Sequence, residues 1–566
     1  MALSDYFNYL SVFSTVLFLV ALLVLIPLGI YLCRYKLKFI IVAVLGLIQA
    51  TIYLSQILML VVNYLKNNNH NTIGLILQYA LPVGFFIMAG LGIARWGLQI
   101  NVGRTQPCPL PSVAPPVPFK ARLSQWWHGF QCWITGAEGI GVSAFMLFVL
   151  VVYLIYIWQP VTPNNFDEVY YIPESIRFLK GQAMKFAQVP PLSKWLIASG
   201  IFTFGNNPLG WRIMSVVFSL AGIFIVYLII KKLTAQWPHA SPFVPLLGTF
   251  LLATENLTFV MGHVGMPDVF YVTFMLLAFL LYLRGYYLSC GVLMGLSLLC
   301  KVTAVLGFVV ILLHWVITRR REIVSELHNV WDAVNERAMK FPLSGNILKM
   351  FKLLVAAVAV WLILIVPLEY GSMHQFSANT LWYNPFFRAV YILWYPLHET
   401  VIWRTVSDSG WLLPRTPWQW LLTPSALNID IASGASAPRY LASIGWNIWV
   451  LIIPSICYLV YLSFRVRDIG HHLGLFLLCW LVGIYGLLVV LQPFTGRLTY
   501  DFYFYPAVPA VCITIAWGSW RLWEASRKRV GTKIVFIAGL SLYLLASLAV
   551  FVIMSPLGTN LVKLPL

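Results

Sequence analysis

Asp167 and Glu168 are adjacent carboxylates in the run Asn165-Phe-Asp-Glu-Val-Tyr-Tyr-Ile-Pro173, just past an apolar stretch long enough to cross a bilayer. Acids beside a membrane are expensive unless they are solvated or functional. A carboxylate in that position can take the proton of an attacking hydroxyl. The plain alternative is an acidic pair at the start of a helix that continues through Glu174 and Arg177. Further on, Pro190 and Pro191 stiffen a turn and set Lys194 at the lip of an apolar segment, where a snorkelling lysine is the simpler reading. Arg212, in Gly210-Trp-Arg, opens a long apolar run and would serve equally as an interfacial anchor. Glu255, His263 and Asp268 bracket a helix break at Pro267, and Lys301 lies between two short apolar segments. Near the C-terminus, Arg497, Asp501 and Tyr503 sit in Gly496-Arg-Leu-Thr-Tyr-Asp-Phe-Tyr-Phe-Tyr-Pro506, whose aromatics also suit a membrane-interface belt.

Taken together, these residues put a carboxylate pair, several cations and aromatic rings on one side of a membrane. That set can transfer a sugar from a lipid phosphate. A carboxylate acts as general base on the acceptor hydroxyl. Lysine and arginine hold the phosphate and stabilise its charge as it leaves. Fixed cations can do the work of a metal, so no cofactor is expected; the lipid-linked sugar is a co-substrate.

Such residues need elements to hold them. The chain of 566 residues is 60% hydrophobic and 10% charged, whereas soluble domains carry about 25% charged residues. Its apolar residues fall in runs near the ~20 residues that span a bilayer, so an all-α integral membrane protein is expected. Helices are predicted at 10–33, 38–65, 73–98, 139–158, 209–231, 241–255, 267–283, 286–300, 303–318, 350–368, 440–463, 472–491, 502–520 and 533–555. The first is followed by Arg34, Lys36 and Lys38, which marks a retained helix with its basic end inside. Alternating from there leaves roughly two dozen basic residues inside and about a dozen outside, as the positive-inside rule requires. The net charge of +19 then reflects inner loops and anionic lipid, and nucleic acid is not an expected partner. None of the eight cysteines forms a CxxC pair, and neither a disulfide framework nor a zinc site is read.

Residues 1–100 are read as a three-helix membrane segment, 101–138 as a Pro-rich inner linker and 139–566 as the membrane domain that carries the chemistry. Two long outer loops, 159–209 and 369–439, are expected, and Arg319 to Lys352 is expected to lie as an amphipathic helix at the inner surface.

The order Phe-Asp167-Glu168, Pro-Pro-Leu-Ser-Lys194, Trp-Arg212, Met-Pro-Asp268, Cys-Lys301-Val-Thr and Arg497 with Phe-Tyr-Phe-Tyr-Pro resembles the protein O-mannosyltransferases. It also resembles the wider set of phospholipid-carrier-dependent glycosyltransferases with the GT-C fold. The resemblance implies a core of about eleven transmembrane helices, matched by the segments after the linker, with the N-terminal three as an addition. It implies an active site in the first outer loop and inverting transfer from a polyprenyl-phosphate sugar, often mannose. Asp167 would be the base and Glu168 would orient the acceptor or share that role. Lys194 and Arg212 would serve the carrier phosphate, with His263, Asp268, Lys301, Arg497 and Tyr503 binding substrate. Val189 stands where the family usually has His, and 369–439 is too short for the sugar-binding insert of eukaryotic members. A prokaryotic plasma membrane with the active site on the extracytoplasmic side is therefore expected. The acceptor is left open between a protein Ser or Thr and an envelope glycan or lipid.

The rival reading is a multi-pass transporter or flippase. It would show internal repeats and ionisable residues at the membrane midplane; the sequence shows no repeat, and its clustered charges fall at the outer face.

Overall fold

The computed structural model describes residues 137–158, 167–182, 189–237, 242–335, 345–373, 416–422, 441–464, 470–495, 499–527 and 529–556. The chain divides into Met1–Gly129 and Phe130–Leu566, and the described residues lie in the second unit. The predicted helices at 10–33, 38–65 and 73–98, Arg497, and almost all of the linker and of 369–439 lie outside them.

Every regular element among the described residues is helical, as lipid demands of a chain that must satisfy its own backbone hydrogen bonds. Among the described residues eight helices are long and apolar enough to cross a membrane, and Leu192–Phe204, Phe243–Ala253, Asp268–Leu283 and Tyr287–Cys300 are apolar but shorter. Each segment predicted after the linker contains helix, although that predicted over 440–463 is non-helical at 441–445 and consists of one turn, Trp446–Trp449, and a helix from Ile452.

Helix α1 (Ala137–Tyr156) is followed by α2 (Glu168–Leu179), α3 (Leu192–Phe204) and α4 (Pro208–Leu233). The outer loop expected over 159–209 thus contains two helices. Their 12 and 13 residues are too few to register as membrane spans, and the two prolines before α3 read as a turn. Asn207 caps α4 by accepting from the Gly210 N–H at 3.0 Å, with Pro208 at the first helical position, where its missing N–H does no harm. Helices α1 and α4 run antiparallel. At one end Lys231 and Tyr227 donate to Glu138 at 3.0 and 2.7 Å. At the other, Arg212 donates to the carbonyl of Ile157 at 3.1 Å.

The predicted helix 241–255 ends early. Helix α5 (Phe243–Ala253) gives way to α6 (Asn256–Met261) because Glu255 accepts from the N–H groups of Leu257 and Thr258 and starts a new helix. A turn over 262–267 then leads into α7 (Asp268–Leu283), followed by α8 (Tyr287–Cys300). The amphipathic inner segment expected from Arg319 is not a separate element. Helix α9 runs unbroken from Val305 to Asn335, since the residues after Arg319 include no Pro or Gly before Pro342 and are good helix formers. Helix α10 (Asn346–Met373) starts against it, with Glu326 of α9 accepting from the N–H groups of Asn346 and Ile347 at 2.8 and 2.9 Å. The remainder comprises the single turns Gln419–Leu422 and Trp446–Trp449, α11 (Ile452–Phe464), α12 (Gly470–Leu481), a π-helical turn, α13 (Leu487–Thr495), a 3-10 turn over Asp501–Ala507, α14 (Val508–Ser526) and α15 (Val530–Met554).

In lipid, helices associate through close packing and buried polar contacts more than through apolar burial. Trp480 of α12 stacks edge-on against Phe279 of α7 at 4.9 Å and donates to the Pro506 carbonyl at 2.9 Å. Helix direction sorts the charges. The starts of α2, α4 and α7, the end of α8 and the 3-10 turn share one end of the bundle. The opposite end collects Lys231, Lys232, Arg284, Arg319 to Arg321, Arg521 and Arg527.

Candidate active site

Asp167 is the residue before the first turn of α2. Its carbonyl accepts from the N–H groups of Tyr170 and Tyr171 at 2.9 and 3.1 Å, while its side chain makes no capping hydrogen bond. The carboxyl is half-buried. It is pushed up to about 7, first by burial, with Lys301 pulling it down and Asp268 pushing it up. Close to neutral pH it can both take and release a proton.

Glu168, next along, is fully buried. It accepts from Arg212 Nε and Nη2 at 2.9 and 2.8 Å and from the N–H of Gly265 at 2.7 Å. Arg212 is buried to the same extent. This bidentate pair ties the start of α2 to the start of α4 and to the turn before α7. Lys194 is likewise 0% exposed, 3.8 Å from Glu174, itself 2% exposed. Neither cation is the open interfacial side chain that its place in the sequence suggested, because each has a carboxylate that the fold brings in from α2. Isolated charges could not stay buried here; paired ones can.

His263 also faces inward. Its Nδ1 and Nε2 lie 2.9 Å from the carbonyls of Phe259 and Tyr153, and the ring stacks on Tyr153 at 4.3 Å. It fixes the turn before α7 to α1, where the sequence had placed it among substrate-binding groups.

Asp268 and Lys301 meet as expected of residues at adjacent helix ends. The ammonium donates to both carboxylate oxygens at 2.8 and 2.9 Å. With 17% exposure, Lys301 is more open than Lys194 or Arg212. Tyr503, Tyr271 and Phe502 surround it, with ring centres 5.5, 5.9 and 5.9 Å from Nζ, a geometry in which the rings attract the cation. Tyr500 packs on Tyr503 and feels the charge of Asp167. Tyr271, Gly265 and Glu174 were not singled out from sequence. For Tyr271 a signal existed: it lies three residues after Asp268, on the same helix face. Among the described residues no group of three or more His, Cys, Asp or Glu side chains is placed to hold a metal ion.

Residues 188–333 match the family model described as dolichyl-phosphate-mannose-protein mannosyltransferase. The match contains Lys194, Arg212, His263, Asp268 and Lys301 and begins after Asp167 and Glu168. The chain is 30% identical over 121 residues to the polyprenol-phosphate-mannose–protein mannosyltransferase of Corynebacterium glutamicum, covering 19% of this chain and 22% of the relative. It is 32% identical over 120 residues to the protein of the same name from Mycolicibacterium smegmatis, covering 20% and 22%. The matched stretch is thus about a fifth of the length of these relatives. Among solved structures, ArnT from Cupriavidus metallidurans in the apo state is 15% identical at a TM-score of 0.42, covering 75% of this chain and 77% of that one. The resemblance read from the motifs to the protein O-mannosyltransferases holds over residues 188–333.

Proposed function

We propose that this chain is a GT-C-type membrane glycosyltransferase that moves a sugar, mannose in the first instance, from a polyprenyl-phosphate carrier to a hydroxyl. The observation that carries the reading is Asp167: a carboxylate outside the spans, not consumed by its helix, pushed up to about 7 and beside an accessible cation. Asp167 takes the proton of the acceptor hydroxyl as that oxygen attacks the anomeric carbon. The bond from this carbon to the phosphate oxygen breaks on the opposite face, and the polyprenyl phosphate leaves with the electron pair. One displacement inverts the anomeric centre. Lys301 meets the charge on the phosphate, and Tyr503 and Phe502 offer flat faces to the sugar or the first isoprene units. Glu168 with Arg212, and Glu174 with Lys194, hold the start of α2 and the turn before α7 in place.

Helix length supports a lipid-borne donor. With 16 and 14 residues, α7 and α8 are about 24 and 21 Å long, short of the ~30 Å hydrocarbon core. The Asp268–Lys301 pair at their ends is thereby recessed towards the level that a lipid phosphate reaches. The basic end of the bundle lies opposite, which under the positive-inside rule supports a site on the extracytoplasmic side of a multi-pass protein, and the bacterial relatives favour a plasma membrane. The matched family favours a protein Ser or Thr as acceptor over an envelope glycan or lipid.

Purified chain in lipid, given radiolabelled polyprenyl-phosphate mannose with peptide and lipid acceptors, is expected to transfer label. Asp167→Asn should reduce the rate by about 100-fold or more. Because the base must be ionised, the wild-type rate should fall as pH drops through about 7. Undiminished transfer by Asp167→Asn removes Asp167 as base. Passage of the labelled lipid across vesicles with no transfer would favour a flippase instead.

A further inference from the structure

Among the described residues three ion pairs stand at the site end of the bundle, and they differ in exposure. Glu168–Arg212 and Glu174–Lys194 are sealed, whereas Lys301 of the third pair is 17% exposed. Asp268 binds it with both oxygens, and three aromatic rings surround it. Asp268 also stands three residues after Gly265, whose N–H is held by Glu168, the neighbour of Asp167. The hydrogen bond from Gly265 to Glu168 therefore ties the start of α2, next to Asp167, to the turn that leads into Asp268. Among the described residues, the charged and titratable groups around Asp167 are Lys301 from the end of α8, Asp268 from the start of α7, Tyr500 from the segment before the 3-10 turn, and the Glu168–Arg212 pair. Without Asp268, the Lys301 ammonium would lose the carboxylate that holds it on both oxygens, and its charge, which already acts on Asp167, would draw that carboxylate to itself.

We propose that Asp268 is a positioning residue that acts through Lys301: by holding the ammonium on both its oxygens it leaves the Asp167 carboxylate to the acceptor hydroxyl. Lys301 is then a balanced charge, available to a carrier phosphate when one arrives. The inference deepens the reading of Asp167 as base, and its test needs no turnover, so the two fail separately.

Full-length protein in lipid nanodiscs is labelled with 13C at the aspartate carboxyl carbons. The chain has eight aspartates, and the signal missing from Asp167→Asn identifies Asp167. Its wild-type midpoint should lie at about 7. Asp268→Asn leaves Lys301 unbalanced and should lower that midpoint by about one pH unit or more. Lys301→Gln removes the cation and should raise it by a comparable amount, and the double variant should return towards wild type. Opposite shifts cannot come from loosening of the site alone. A midpoint unmoved in both variants, or moved the same way in both, overturns the proposal. If the shifts hold while the wild-type chain transfers no sugar, the electrostatic inference stands and the proposed reaction falls.

Discussion

Truncating Arg212 would strand a carboxylate. Glu168 is fully buried and draws two of its hydrogen bonds from that guanidinium, so Arg212→Ala leaves it with the Gly265 N–H and no cation. Removing one partner of a buried ion pair costs about 3–5 kcal/mol, far more than the pair itself is worth. Arg212→Lys should recover little, because an ammonium cannot reproduce the planar fork that also reaches the Ile157 carbonyl. Thermal unfolding of the purified variants checks this: a melting temperature unchanged in Arg212→Ala would mean that the pair holds nothing. Asp167 and Glu168 were legible in the sequence as a carboxylate pair because they are adjacent. The partnership of Glu168 with Arg212 was not, since the two are 44 residues apart. Lys194 and Arg212 both stand at the starts of apolar helices, where local pattern cannot distinguish a snorkelling cation from one neutralised by a distant acid.

Between elements, glycine sets how closely α8 and α10 approach. A Cβ on Gly291 would run into the carbonyl of Leu353, and one on Gly295 into that of Ala357. Four residues apart, these glycines form a small-residue stripe of the kind that lets membrane helices touch backbone to backbone. A backbone carbonyl cannot swing aside as a side chain can, so Gly291→Ala should destabilise by about 3 kcal/mol, the upper end for overpacking. Gly539 on α15 meets nothing within 4 Å; Gly539→Ala should be neutral or stabilising by up to about 1 kcal/mol. Equal melting temperatures for the two variants would dismiss the close approach. At this scale, among the described residues, the sequence was a good guide where apolar runs reached membrane length. It had offered α2 as the helix begun by the Asp167-Glu168 pair, and it failed where local effects decided the matter: Glu255 splitting α5 from α6, the short α3 inside an expected loop, and α9 continuing beyond Arg319 on helix propensity.

Over the described residues as a whole, basic charge is concentrated at the end opposite the site. Gln182 follows α2 in the segment between the end of α1 and the start of α4, on the site side, and is exposed. Gly531 lies at the start of α15, among the basic residues of the opposite end, in open space. If cytoplasmic loops retain Lys and Arg, a membrane-impermeant maleimide applied to intact cells should label Gln182→Cys above the level of the parent chain. Gly531→Cys should be labelled only after permeabilisation. The reverse pattern would turn Asp167, Asp268 and Lys301 to the cytoplasm. The site geometry would survive that result, but the donor would then have to present its sugar on the inner leaflet, and the extracytoplasmic acceptor would be lost.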